Sequence, residues 1–272
     1  MNKLISLMIL PTILLSGCQI KKRFAQSEYG VFLGAERNDL KKIKGYKKVV
    51  IDAQYFNKED IEELHSNEQK VYSYLNVGSI ENFRSYYSTY EHLTLGDYEN
   101  WNDEKWVDVS QKQWQDFILN DLSNEILDKG VDGLFIDNID VFYNYPSIAI
   151  YNGIETILKG LKKKNTYVSI NGGDTFVKEY YRHNGHAYDI MDAVNQETVF
   201  SKINWDDSSF GKNDEEDKRY YQEYVEMVKD KMHRDVYLLE YTKDNALIEQ
   251  IYNYCGQHVF YYYISSSLEL IA

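Results

Sequence analysis

The chain is punctuated by short apolar runs that recur at helix-length intervals, and no other feature narrows its fold as much. The runs are YGVFLGAE (29–36), KVVIDAQYF (48–56), KVYSYLNVGS (70–79), GLFIDNID (133–140), YVSINGG (167–173), AVNQETVF (193–200), DVYLLEYTK (235–243) and HVFYYYIS (258–265). Each suits one buried strand and is too short for a helix of its own. Helical signals fill most of the gaps. Asn57 is placed to cap a helix carrying Ile61 and Leu64. Ser110 and Gln113 read as a capping box ahead of Trp114, Phe117, Ile118, Leu122 and Ile126, and Gly130 ends that helix. Tyr221, Tyr224, Val225, Val228 and Met232 form another apolar stripe. Residues 148–163 and 245–255 also read as helices, the second capped by Gly256. Eight strands alternating with helices predict one (β/α)8 barrel of the TIM type over residues 29–272. A doubly wound open sheet is the alternative, but the first run lacks that fold's glycine-rich phosphate turn.

Residues 1–17 read as a signal peptide, with Lys3 as the basic start and Leu4–Leu15 as an apolar core shorter than a membrane span. Leu15-Ser16-Gly17-Cys18 resembles the bacterial lipobox, which predicts cleavage before Cys18 and a lipid on its thiol. An ordinary signal peptide or an uncleaved anchor is the competing reading. Residues 18–28 are then a lipidated tether, and the ten residues 19–28 reach about 33 Å when extended. The expected place is outside the cytoplasm, on a bacterial cell membrane, held by lipid alone. Cys255 is left without a partner, so no disulfide is expected and its thiol reads as buried and inert.

Charge excludes one class of partner. At −13 overall the chain offers no basic patch for a phosphate backbone, so nucleic acid is not expected. An acidic surface favours a cationic substrate, or simply keeps the chain soluble. The 26 tyrosines suit sugar faces, although core packing accounts for at least half of such rings.

Strand ends carry the chemistry in a parallel barrel. From the second to the seventh run they are Asp52, Asn76, Asp137, Asn171, Glu197 and Glu240. Asp52, Asp137, Glu197 and Glu240 are thus four carboxylates able to converge, although strand-end acids also cap helices. Two suffice for glycosidic hydrolysis, one as acid and one as nucleophile or base. Asp140, two residues past Asn138, reads as a hydrogen-bonding or structural neighbour. Residues 80–110 form the longest irregular stretch, rich in aromatics including Trp101 and Trp106, and read as a cleft wall.

YSYLNVGSIENFRSYY (72–87), WVDVS (106–110) and KGVDGLFIDNIDVF (129–142) resemble glycoside hydrolase family 114, the endo-α-1,4-polygalactosaminidases, related to the hydrolase domain that cuts the Pel exopolysaccharide. The likeness runs from the first strand to the eighth. It implies Asp137 and Glu197 as the catalytic carboxylates. By analogy with α-glycosidase barrels it implies Asp137 as nucleophile and Glu197 as acid/base. Tyr74 and Asn76 fall in the third-strand motif, and Asp52 is expected on the substrate's amino group. Asn138, Asp140, Asn171, Glu240 and Tyr241 complete the expected substrate contacts. The implied substrate is a cationic α-1,4-linked galactosamine and N-acetylgalactosamine polysaccharide. Loss of Lys3 with the leader takes the formal charge from −13 to −14, in keeping with such a polymer. Tyr241 and Tyr261–Tyr263 are further candidates for stacking on sugars. A monomer without cofactor or metal is expected.

Two rivals stand beside this reading. A metal-dependent polysaccharide deacetylase would use Asp137, Asp140, His183 and His186. A non-catalytic glycan-binding lipoprotein would show two lobes, and none is visible in the sequence.

Overall fold

The computed structural model describes residues 28–271. The expected signal peptide, Cys18 and most of the expected tether therefore lie outside the described residues. Each of the eight runs becomes a strand: β1 (Gly30–Phe32), β2 (Lys48–Ile51), β3 (Lys70–Asn76), β4 (Gly133–Asp137), β5 (Tyr167–Asn171), β6 (Ala193–Glu197), β7 (Asp235–Tyr241) and β8 (Tyr261–Ser265). Their bodies are buried almost throughout, as strands covered on both faces must be.

Neighbours in the sheet follow chain order from β1 to β8, all parallel. A doubly wound sheet would reverse that order at a switch point, so the fold is the barrel. The first and last strands meet through side chains, with the Phe32 and Tyr263 rings 5.2 Å apart, and just beyond the strands Gly34 N–H donates to the Leu270 carbonyl at 3.3 Å.

Tyrosines pack the barrel's lower end. Tyr72 stacks on Tyr167, Tyr237 stacks on Tyr261, and Lys48 lies 3.7 Å from the Tyr261 ring centre. Lys48 Nζ donates to the Tyr237 hydroxyl at 3.0 Å, which satisfies the phenol inside the core. Much of the tyrosine content is therefore floor, not sugar platform.

The helix caps match expectation in part. Asn57 accepts from Asp60 N–H at 3.0 Å, and the Asp60 carboxylate answers at 2.9 Å. Gly130 ends its helix at φ +95°. Ser110, in contrast, caps nothing. Asp108 accepts from its N–H and hydroxyl, and the helix starts at Lys112. Trp114, Phe117, Ile118, Leu122 and Ile126 still bury together, through a π-helical stretch at Phe117–Leu122. The last helix runs past Gly256 to His258 and ends on Val259 in the left-handed region, φ 60°.

Two insertions rise above the strand C-termini. Residues 79–107 are not irregular but form a three-stranded antiparallel flap of Ser79–Glu81, Glu104–Val107 and Thr94–Asp97. After β6 comes a hairpin of Ser201–Asn204 with Ser209–Lys212.

Candidate active site

Three strand ends meet at one side-chain amide. Asn171 Nδ2, at the end of β5, donates to Asp137 Oδ1 at 2.8 Å and to Glu197 Oε1 at 2.7 Å. Tyr241, at the end of β7, donates its hydroxyl to Glu197 Oε2 at 2.7 Å. The residue after each of the three adopts positive φ: Asn138 at 65°, Gly172 at 62° and Thr198 at 53°. That conformation turns the chain away as each strand ends and leaves the preceding side chain at the rim.

Burial and the charge of Glu197 push the Asp137 carboxyl up to about 8, with Glu104 adding to the effect and Asn171 opposing it. Glu197 is raised as well, by burial, against hydrogen bonds from Asn171 and Tyr241. Two carboxyls this close do not ionise independently, and holding both ionised at once is disfavoured. Asp140 is pushed up to about 6 by burial and by Asp174.

The pair lies in a cleft of about 780 Å³. Glu36, Asp52, Glu81, Asp103, Glu104, Asp140, Asp174 and Glu269 line it alongside Asp137 and Glu197. Among the described residues that line the cleft, Arg84 is the one arginine, and there is no lysine. Tyr55, Phe83, Tyr98, Trp101 and Trp205 supply aromatic walls. Trp101 of the flap and Trp205 of the hairpin touch edge to face, with centroids 5.7 Å apart.

The model of glycoside-hydrolase family GH114 matches residues 19–266. The chain belongs to family GH114. It is a glycoside hydrolase. The fold of this GH114 enzyme is similar to that of the glycoside hydrolase domain of PelA from Pseudomonas aeruginosa. That pair has a TM-score of 0.74 and 15% identity, over 90% of this chain and 96% of that one. Aspergillus fumigatus Ega3, in a crystal structure with galactosamine, gives 0.70 at 16% identity, over 92% and 94%. An α-galactosidase from Thermus thermophilus gives 0.57 at 8% identity, over 90% of this chain and 59% of that one. No curated protein sequence matches.

The GH114 barrel brings most of the expected residues together, but not all. Asp137, Asn171, Glu197, Tyr241, Tyr74, Asp52, Asn138 and Asp140 are in or beside the cleft. Asp52 does not offer a free charge to a substrate amine. Its Oδ2 is 2.7 Å from an Arg84 nitrogen, and Oδ1 accepts from Gln54 N–H. Tyr74 donates to Glu81 at 3.3 Å, and Glu81 in turn holds Arg84 at 2.9 Å. Asp140 accepts from Gly173 N–H at the start of the Asp174–Asn184 helix.

Two expected contacts fall outside the lining. Asn76 is buried beneath the flap, donating to Glu104 and accepting from Ser79 and Asn138. Glu240 is fully buried and accepts from the backbone N–H groups of Val199, Phe200 and Ser201. Adjacent strand residues face opposite ways, so Tyr241 reaches the cleft and Glu240 points behind it. Tyr261–Tyr263 do not line the cleft either. Tyr261 joins the floor, and Tyr263 packs on Phe32 and Tyr46.

The sequence reading missed Glu104, Glu81 and Arg84, all flap residues. Glu104 accepts from Asn76 and Asn138 and adds its field to Asp137. The one signal available was the density of charge in NDEKW, which is also what an exposed loop looks like. His183 and His186 spend ring nitrogens on Glu179 and Asp189, outside the cleft lining. No cluster of three metal-ligating side chains occurs among the described residues.

Proposed function

We propose that this hydrolase cleaves α-1,4-linked polymers of galactosamine and N-acetylgalactosamine within the chain, through the carboxyl pair Asp137 and Glu197. The observation that carries the reading is the pair itself, tied by one amide in a cleft lined by carboxylates and a single guanidinium. Such a cleft concentrates a cationic polymer and repels an anionic one. The galactosamine bound to Ega3 supports the same substrate class.

Legs of 2.8 and 2.7 Å from one nitrogen hold the bonded oxygens less than about 5.5 Å apart, short of the ~6.5–9.5 Å of inverting enzymes, which supports retention. In that mechanism Glu197 protonates the glycosidic oxygen as the bond to the anomeric carbon breaks. Asp137 attacks that carbon and forms a glycosyl ester. Water, giving its proton to Glu197, then attacks the ester and regenerates Asp137. The mechanism requires a proton on Glu197 and an ionised Asp137 once substrate is bound.

Azide rescue tests the roles and the reaction at once. Asp137→Gly with azide should yield the β-glycosyl azide, and Glu197→Gly the α-anomer. The reverse pattern exchanges the roles, and absence of oligosaccharides from wild type on galactosamine polymers removes the substrate assignment. We further propose that Cys18 carries the lipid that holds the enzyme at the cell surface. Cys18→Ala should move it from the membrane to the soluble fraction, and continued membrane attachment refutes the anchor.

A further inference from the structure

We infer that Tyr29 and Asn195, buried outside the cleft lining, are positioning residues that fix which end of the Asn171 amide faces the carboxyl pair. This rests on Asp137 and Glu197 being the reacting pair. Asn195 is 0% exposed and Tyr29 1%. Tyr29, just before β1, donates its hydroxyl to Asn195 Oδ1 at 3.0 Å. Asn195, within β6, donates Nδ2 to Asn171 Oδ1 at 2.7 Å. Asn171 Nδ2 then divides between Asp137 and Glu197. The line of donors crosses the barrel from the first strand to the pair and runs in one direction.

The direction matters because an amide is a donor at one end and an acceptor at the other. A half-turn of Asn171 would set its carbonyl oxygen against both carboxyl oxygens, an arrangement tolerable only when they are protonated. It would also set Nδ2 of Asn171 against Nδ2 of Asn195. Turning Asn195 in response would oppose its NH2 to a phenol that then has to accept instead of donate. Tyr29 is thus the far anchor of the chain. Its own proton is held firmly, since burial raises the phenol well above its usual range. A donor that serves ionised carboxyls lowers their proton affinity, and an acceptor in the same place raises it. The other titratable groups facing the pair are Glu104, Tyr74, Tyr98, Asp140 and Tyr241, and none of them bonds to Asn171.

Two variants test the inference, read by carboxyl 13C NMR titration without substrate and by the pH profile of kcat. Tyr29→Phe removes one hydroxyl, and Asn195→Asp leaves only acceptors facing Asn171. Tyr237→Phe is the control, because its buried phenol packs 4.6 Å from the Tyr29 ring but lies outside the chain. Both variants should move the pair's titration up by about one pH unit, Asn195→Asp the further. They should lower kcat about tenfold with little change in KM, and the control should do neither. Titrations that coincide with wild type, or a shift equally large in Tyr237→Phe, overturn the inference. A shifted titration in a protein that leaves galactosamine polymers intact upholds the positioning role and refutes the proposed substrate. If Asn195→Asp fails to fold, Tyr29→Phe decides alone.

Discussion

The turns that follow Asp137 and Glu197 share a backbone conformation and are held by opposite means. After Asp137 the left-handed residue is Asn138, and its own side chain holds the turn. Its amide donates to Asn76, Ser79 and Glu104 and accepts from the Tyr98 hydroxyl. Gly78 permits this, because a Cβ there would sit 1.7 Å from the Asn138 carbonyl oxygen. After Glu197 the left-handed residue is Thr198, a β-branched side chain ill suited to that region. Support comes from outside. Glu240 gathers the next three N–H groups, Leu239 accepts from Thr198 N–H, and Asn213 donates to its carbonyl. One turn is held through the side chain of its own left-handed residue, and the other through the side chains of other residues. The same backbone result therefore does not imply the same sequence signature.

The comparison can be broken or sharpened experimentally, beginning with the carboxyls themselves. Asp137→Asn and Glu197→Gln should each lower kcat on galactosamine polymer by at least ~10³-fold, since the proposed mechanism gives each carboxyl its own step. Reducing-end release measures this, and turnover within tenfold of wild type excludes that residue. Glu240→Ala should come next. It strips the Thr198 turn of its acceptor and should cost roughly 3 kcal/mol of stability, read by urea unfolding, with kcat falling because Glu197 loses its support. An unchanged midpoint would mean the turn holds itself.

Glycine substitutions should act with opposite signs at the two turns. Thr198→Gly relieves strain and should stabilise by up to ~1 kcal/mol, whereas Asn138→Gly loses its side-chain bonds and should destabilise by about 2 kcal/mol. Changes of the same sign would erase the distinction. A further expectation concerns pH. Asp137, Asp140 and Glu240 are raised to about 8, 6 and 7. A folded-state pKa above the unfolded value favours the native state at low pH, and that advantage is lost as pH rises through the folded pKa. Urea midpoints should therefore be higher at pH 5 than at pH 8, and Asp137→Asn should narrow the difference. Equal midpoints would show that these acids are not strained in the fold.

Legibility in the sequence ends where local causes end. The eight strands were readable because a strand covered on both faces must be apolar along its body and stop at polar or glycine residues. Neither left-handed turn was readable, because the groups that hold Asn138 and those that hold the Thr198 turn lie on other strands and on the flap. The flap between β3 and β4 read as irregular, since its strands are short and half exposed. Arg84 and Glu104 looked like ordinary loop charges until that flap folded over the cleft. Asp52 was recognised as a rim carboxylate, but its partner is Arg84, 32 positions along the chain.

By itself the sequence determined the barrel, the order of its strands and the acids that end them, because strand burial and chain connectivity are local and sequential. Tertiary structure decided which of those acids share the cleft. Glu240 turned behind the cleft to hold a loop, Tyr241 turned into the cleft to Glu197, and Asn171 took a position between two carboxyls. Those outcomes depend on side-chain direction and on partners from other strands, and no linear pattern records either.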